Sequence, residues 1–115
     1  MMDISILKHK RELEKELERI LHILILGYKP HKVILFGSLV NNKIKETSDL
    51  DLFIIKDTPK RYWERVDEVL GIVHPQEAMD IFVLTPQEIR DNLKKNNLYL
   101  KDILEEGKVI YERAS

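Results

Sequence analysis

Two aspartates one residue apart are the first candidates for chemistry in this chain. Asp49 and Asp51 open the stretch DLDLFII, in which polar and apolar residues alternate before the run becomes wholly apolar. Because alternate residues of a β-strand point to the same face, both carboxylates are expected to project side by side from the start of one strand. Two carboxylates held this close repel each other unless a cation lies between them. Oxygen ligands of this kind select a hard ion such as Mg²⁺.

A third acid, Asp80, lies in the apolar stretch AMDIFVLT. A carboxylate in so apolar a strand needs a compensating partner, and pairing of the strands would bring all three acids to one patch. Three carboxylates and bound phosphates can hold two metal ions about 3.5–4 Å apart, one for the attacking oxygen and one for a triphosphate and its leaving pyrophosphate. We therefore predict a metal site made of Asp49, Asp51 and Asp80.

Gly37 and Ser38 end another apolar run, KVILFGS. A glycine at a strand end lets the backbone approach a ligand closely, and the exposed amides there can surround phosphate oxygens. The Ser38 hydroxyl can donate to the same group. The next ten residues, LVNNKIKETS, are predicted to form a loop or short helix that returns the chain to the acids, with Lys43 and Lys45 available to phosphate.

The hydrophobic pattern predicts alternating helices and strands that would position these residues. Predicted helices cover residues 4–27, 61–72, 86–96 and 98–106, and predicted strands cover 32–38, 49–55, 78–85 and 108–113. Gly27 is expected to end the first helix, and Thr85 with Glu88 to form a capping box. The order is typical of an α+β or α/β fold, and the length predicts one domain, residues 1–115.

The first predicted helix becomes apolar on nearly every side between Ile20 and Leu26. A segment of this kind has to be covered, either by the rest of the domain or by a partner.

The amino-acid composition argues against several classes of function and of binding site. The 115 residues include 19 basic and 20 acidic ones, a net charge of −1, which argues against strong binding to nucleic acid or to an anionic membrane. Without cysteine there are no disulfides or thiolate metal sites. The longest nearly apolar run, ILHILILGY, is too short to span a bilayer, and the charged N-terminus is unlike a signal peptide, so we predict a cytoplasmic protein. The four histidines show no metal-ligand spacing.

The motif resembles that of a known family. Gly37-Ser38, ten residues, then Asp49-Leu50-Asp51, with a further acid at Asp80, is similar to the signature of the DNA polymerase β-like nucleotidyltransferase superfamily. The short chain resembles its minimal nucleotidyltransferases, the antitoxin partners of HEPN-domain toxins. The resemblance implies an α+β (α/β) fold with a small mixed β-sheet flanked by helices.

The resemblance also implies a role for each motif residue. Gly37 and Ser38 would bind the nucleotide phosphates, Asp49 and Asp51 would bind Mg²⁺, and Asp80 would complete the metal site and help deprotonate the acceptor hydroxyl. The implied activity is that of a protein adenylyltransferase, which uses ATP and two Mg²⁺ ions to transfer AMP to a tyrosine of a HEPN toxin. Such a protein would be the antitoxin of a type VII-like toxin–antitoxin pair.

The chain departs from the family pattern after Gly37-Ser38. Many members carry arginines there, whereas LVNNKIKETS contains none. Two other interpretations therefore stay open. The protein could neutralise a HEPN toxin by binding alone, or it could modify a small molecule, although relatives that do so usually carry an additional acceptor-binding domain. The sequence also leaves open whether the chain forms a homo-oligomer.

Overall fold

The computed structural model describes residues 3–114 and begins with a long helix. Helix α1 (Ile4–Ile23) is capped by Asp3, whose side chain accepts a hydrogen bond from the Ser5 amide at 2.7 Å. Within the described residues, no helix is both long enough and apolar enough to cross a membrane.

The end of this helix differs from the prediction that Gly27 terminates it. The chain continues from α1 into a π-helical turn (Leu24–Tyr28), which contains Gly27, and Lys29 is the left-handed residue that follows, with φ of 56°. The wider turn places both Leu24 and Tyr28 in the core, so burial of these side chains outweighs the local preference of glycine for a helix end.

Within residues 3–114, one sheet of four strands forms the centre of the structure. The strands are β1 (Lys32–Phe36), β2 (Leu50–Ile55), β3 (Met79–Leu84) and β4 (Lys108–Glu112). Their spatial order is β3-β2-β1-β4, with β2 and β3 parallel and the other pairs antiparallel. The predicted α+β fold with a small mixed sheet is confirmed.

Four further helices connect the strands: α2 (Ser38–Asn41), α3 (Tyr62–Val73), α4 (Pro86–Lys94) and α5 (Leu98–Glu106). The predicted capping box is present, since the Thr85 hydroxyl accepts from the Glu88 amide at 3.1 Å and Glu88 Oε1 accepts from the Thr85 amide at 2.8 Å. All four strands were predicted too long, and two of the differences concern the candidate site. Gly37 and Ser38 lie beyond β1, because the positive φ of Gly37 turns the chain into α2, and Asp49 precedes β2.

Each face of the sheet carries its own apolar core. The larger core packs α1, the π-helical turn and α3 against one face and includes Leu13, Ile20, Leu24, Leu52 and Val69. The smaller core lies on the other face, against α4 and α5, and includes Ile34, Phe53, Leu100 and Ile103. The apolar end of α1 is thus largely covered by the chain itself, although Leu26 remains 64% exposed.

Candidate active site

Asp51 and Asp80 are direct neighbours in the sheet. Asp51 is the second residue of β2 and Asp80 the second residue of β3, and the two are paired in the parallel register. Paired residues of adjacent strands point to the same face, so both carboxylates stand on the side of the sheet that carries the smaller core. The predicted meeting of acids from two separate strands is therefore observed for this pair.

Asp49 lies one residue before β2 and two residues before Asp51. The ladder with β3 begins just after it, where the Leu50 amide donates to the Ala78 carbonyl at 3.0 Å. Asp49 is half-buried, and its negative charge acts on Asp51. Asp51 and Asp80 thus lie side by side, and Asp49 lies close enough for its negative charge to act on Asp51.

The electrostatics of the site centre on Asp51. Its pKa is raised to about 6 by burial first, then by the negative charges of Asp80 and Asp49, and by a hydrogen bond with Asp80. No basic side chain contributes to this shift. Carboxylates crowded in this way favour a bound cation, because a positive charge relieves their mutual repulsion.

Gly37 provides the wall opposite Asp51. Phe36, the last residue of β1, pairs with Asp51, and Gly37 follows it with φ of 78° and ψ of −152°. A Cβ built at Gly37 would lie 2.9 Å from Asp51 Cγ and closer still to Oδ2. Only glycine fits here, because the space and the backbone conformation both exclude a side chain.

The turn after Gly37 leads directly into α2. The Gly37 carbonyl accepts from the amides of Val40 at 3.0 Å and Asn41 at 3.1 Å, so that Ser38 is the first residue of this short helix. Ser38 follows Gly37 directly and is half-buried. The structure therefore places both predicted phosphate-binding residues at the end of β1, adjacent to the strand with Asp51.

The segment between Ser38 and Asp49 is fixed at the end that precedes Asp49. The Ser48 hydroxyl accepts from the Lys45 amide at 2.8 Å, and the Ser48 carbonyl lies 2.7 Å from Nε2 of His9 on α1. This contact fixes the residue immediately before Asp49. Lys43 and Lys45, which were predicted to be available to phosphate, are both exposed.

These residues fit a magnesium site. The donor set is made only of carboxylate oxygens, and the absence of a Cβ at Gly37 leaves the space that the Asp51 carboxylate itself occupies against the turn. Asp51 and Asp80 would be the closest ligands, with Asp49 beside them. When bound, Mg²⁺ supplies positive charge at a transferring phosphoryl group and at the leaving pyrophosphate.

A second group of candidate ligands lies elsewhere within residues 3–114. One ligand atom each from His9, Glu12 and Glu77 comes within 4.8 Å of the others, a distance that Asp49, Asp51 and Asp80 do not meet as a set of three. The charge of Asp80 acts on Asp51 more strongly than that of Asp49 does, so Asp49 is the acid that lies further out. Glu12 is exposed, and such surface groups often come together without an ion, so we assign this cluster no role.

Sequence patterns did not reveal the buried ion pair that holds the segment before β3. Glu16 is only 5% exposed and accepts from Arg19 Nε at 2.7 Å and from the amides of Gln76 and Glu77 at 2.5 and 3.2 Å. Arg19 also donates to the Val73 carbonyl at 2.8 Å. These bonds fix the chain three residues before Asp80. A glutamate at an otherwise apolar helix position was the signal that could have identified them.

Comparisons with known proteins agree with this geometry. Residues 18–115 match the family described as polymerase beta, nucleotidyltransferase. The fold is similar to the crystal structure of a candidate nucleotidyltransferase from Sulfolobus solfataricus, with a TM-score of 0.69 and 16% identity, covering 97% of this chain and 91% of that one. At this identity the likeness concerns the fold alone. No curated protein matches the sequence significantly. The family match covers most of the chain and includes Gly37, Ser38 and the three aspartates, so the protein belongs to the polymerase beta-like nucleotidyltransferase family.

Proposed function

We propose that this protein is a Mg²⁺-dependent protein adenylyltransferase that transfers AMP from ATP to a protein hydroxyl. The observation that carries the proposal is the arrangement of Asp51 and Asp80 side by side on parallel strands, with the Gly37 turn directly against Asp51. Family membership supports nucleotidyl transfer in general, and the identity of nucleotide and acceptor is the proposed part.

The proposed reaction follows from the positions of the residues. The amides and hydroxyl of Gly37-Ser38 would hold the β- and γ-phosphates at the end of β1, and Asp49 and Asp51 would hold Mg²⁺, with Asp80 completing the metal site. The acceptor oxygen approaches the α-phosphorus from the side of β3, where Asp80 accepts its proton. A new oxygen–phosphorus bond forms, the bond to the β-phosphate breaks, and pyrophosphate leaves towards Gly37.

The proposed acceptor is a tyrosine on a HEPN-domain toxin, and the modification would neutralise that toxin in the cytoplasm. Support for an external protein acceptor comes from the exposure of the site: Asp80 is exposed, and β3 is the edge strand of the sheet beside it. A large acceptor can therefore reach the carboxylate without a rearrangement of the fold.

The direct test is incubation of the protein with Mg²⁺, a HEPN toxin and ATP labelled on the α-phosphate. The proposal expects label on the toxin, dependence on Mg²⁺, and no label when the toxin tyrosines are replaced by phenylalanine. Label on a small molecule instead of a protein would contradict the proposed acceptor, and release of labelled AMP alone would contradict transfer.

The alternative proposal is a non-catalytic antitoxin that covers the toxin surface. It is favoured by the loop between Ser38 and Asp49, which contains no arginine to hold a triphosphate. The two proposals differ in the outcome for Asp51→Asn, which abolishes neutralisation by an enzyme and leaves neutralisation by binding intact. A toxin-activity assay with stoichiometric amounts of wild-type and variant protein distinguishes them.

A further inference from the structure

We propose that an uncharged aromatic cavity next to the acids receives the base of the nucleotide. This cavity, of about 310 Å³, lies between the sheet and the start of α5 and is lined by Phe53, Tyr62, Phe82, Asn97, Tyr99 and Leu100. The inference rests on the proposed function, because it assigns a subsite to the nucleotide that the Gly37 turn and the aspartates would hold.

The cavity continues the same face of the sheet as the acids. Phe53 follows Asp51 by two residues on β2, and Phe82 follows Asp80 by two residues on β3, so all four side chains point the same way. A two-residue step along a strand is about 6.6 Å. Two of the side chains that line the cavity, Phe53 and Phe82, are therefore one such step from the acids along the strands.

The direction from the acids to the cavity, along the strands, agrees with the geometry of in-line displacement at the α-phosphorus. The leaving pyrophosphate lies at Gly37 beside β1 and the acceptor enters past Asp80 on β3, so the reaction axis runs across the strands. The ribose is attached to the α-phosphorus through an oxygen that lies off this axis. Sugar and base consequently extend either away from the sheet or along its strands, and the aromatic cavity lies along the strands.

The lining of the cavity suits a neutral, flat ring. Phe82 is the central ring, at centroid distances of 6.3 Å from Phe53 and 5.9 Å from Tyr99, the latter edge to face. Tyr99 is 60% exposed and forms the outer wall, so a ring could enter beside it. Stacking on aromatic side chains is a common mode of base binding and tolerates different bases.

A neighbouring cavity is less suitable. It has a volume of about 260 Å³, lies on the other side of Tyr99 next to Gly37, and carries the acids Asp102 and Glu106 in its lining. None of the side chains around the aromatic cavity is charged. The aromatic cavity is therefore the better match for a base, and Tyr99 is the wall residue whose removal should report on it.

The test compares two ligands by isothermal titration calorimetry in the presence of Mg²⁺: ATP, and inorganic tripolyphosphate, which lacks sugar and base. The wild-type protein should bind ATP at least about tenfold more tightly than tripolyphosphate. Tyr99→Ala should weaken ATP binding about tenfold and leave tripolyphosphate binding unchanged, whereas Tyr99→Phe should retain ATP affinity. Trp63→Ala is the matched control, since Trp63 is equally exposed at 60% and lines none of these cavities.

The outcomes separate this inference from the proposed function. If both ligands bind the wild-type protein with equal affinity, or if Tyr99→Ala weakens both equally, the base subsite is wrong while phosphate binding stands. If Trp63→Ala weakens ATP as much as Tyr99→Ala does, the assignment to this cavity is wrong. If neither ligand binds the wild-type protein, the proposed nucleotide site fails and the inference fails with it.

Discussion

Among the residues of the site, Asp51 is the acid whose ionisation is opposed by its surroundings. It is half-buried, paired with Asp80 and followed by a wholly apolar strand. An acid in such a position destabilises the fold when it ionises, and perturbed acids of this kind are typical of functional sites. Removal of the Asp51 charge is therefore expected to lower activity and to raise stability.

The first prediction concerns catalysis at this position. Asp51→Asn keeps the size of the side chain and removes the charge that would hold Mg²⁺, so we expect transfer of labelled AMP to fall at least about a thousandfold. The folded structure should be retained, as judged by circular dichroism. A variant with the wild-type rate would contradict the assignment of Asp51 to the metal site.

The second prediction concerns pH and stability without divalent cations. The pKa of Asp51 is about 6 in the folded state, above the ordinary value of 3.8. Between these values the folded state binds the proton more strongly than the unfolded chain does, so the free energy of unfolding should fall as the pH rises from about 4 to 6. The difference in pKa corresponds to at most about 3 kcal/mol.

Denaturant titrations in the presence of a chelator measure this dependence. Asp51→Asn should reduce the fall between pH 4 and 6 and be more stable than the wild type above pH 6. Asp67→Asn is the control, because Asp67 is exposed on α3, away from the site, and this variant should follow the wild-type curve. Equal pH dependence in wild type and Asp51→Asn would exclude the proposed repulsion.

The third prediction uses the two glycines with opposite surroundings. Gly37→Ala forces a Cβ into Asp51 at a positive φ, so we expect a loss of about 2 kcal/mol in stability and at least a tenfold loss of ATP affinity. Gly71 lies in α3, and a Cβ there meets nothing within 4 Å. Gly71→Ala should therefore leave ATP binding unchanged and stabilise the helix by up to about 1 kcal/mol. Thermal denaturation and calorimetric titration with ATP measure both effects, and tolerance of Gly37→Ala would refute the close approach.

Among the helices, α1 contacts the segments that lead into the strands with the acids. Glu16 on α1 accepts hydrogen bonds from the segment before β3, and His9 on α1 contacts the residue before Asp49. The helix thus contacts the chain just upstream of β2 and of β3. A change on α1 can therefore reach the site without touching a ligand.

The fourth prediction tests this connection. Glu16→Gln leaves Arg19 without its carboxylate partner and weakens the bonds to the amides of Gln76 and Glu77, so we expect a loss of about 2 kcal/mol in the free energy of unfolding. Urea denaturation measures it. Glu14→Gln on the same helix is the control, since Glu14 is exposed and should change stability by less than about 0.5 kcal/mol. Equal effects of the two variants would show that the buried bonds contribute nothing.

At the scale of the whole molecule, one sheet is shared by two cores. Leu52 and Phe53 are consecutive residues of β2 and belong to the larger and the smaller core respectively. Neither core can be disrupted without disturbing β2, which also contributes side chains to the other core. The shared sheet therefore favours unfolding in one step.

The fifth prediction follows from this coupling. Leu24→Ala in the larger core and Ile103→Ala in the smaller core should each lower stability by about 3 kcal/mol, and each variant should still unfold in one transition. Calorimetry should give equal calorimetric and van't Hoff enthalpies, and far-UV circular dichroism should show the same midpoint. Two separated transitions in either variant would contradict the single cooperative unit.

The residue pattern alone allowed prediction of the order of helices and strands, of the fold class, and of Gly37, Ser38 and the three aspartates as candidate site residues. These follow from local rules: alternation marks strands, three- and four-residue periodicity marks helices, and acids in apolar strands mark a site. The family resemblance drawn from that motif is confirmed by the match over residues 18–115. The sequence predicted that Asp51 and Asp80 would meet if their strands pair side by side, and the parallel register of β2 and β3 fulfils that condition.

The contacts that hold the site in place became apparent only from the folded arrangement of the chain. Gly27 became part of a π-helical turn because Leu24 and Tyr28 both reach the core, which outweighs a local preference for a helix end. The raised pKa of Asp51, the fit of Gly37 against it and the buried bonds of Glu16 depend on contacts between residues 14 to 61 positions apart. Burial, charge repulsion and close packing arise from the folded arrangement, and no local pattern of residue types contains them.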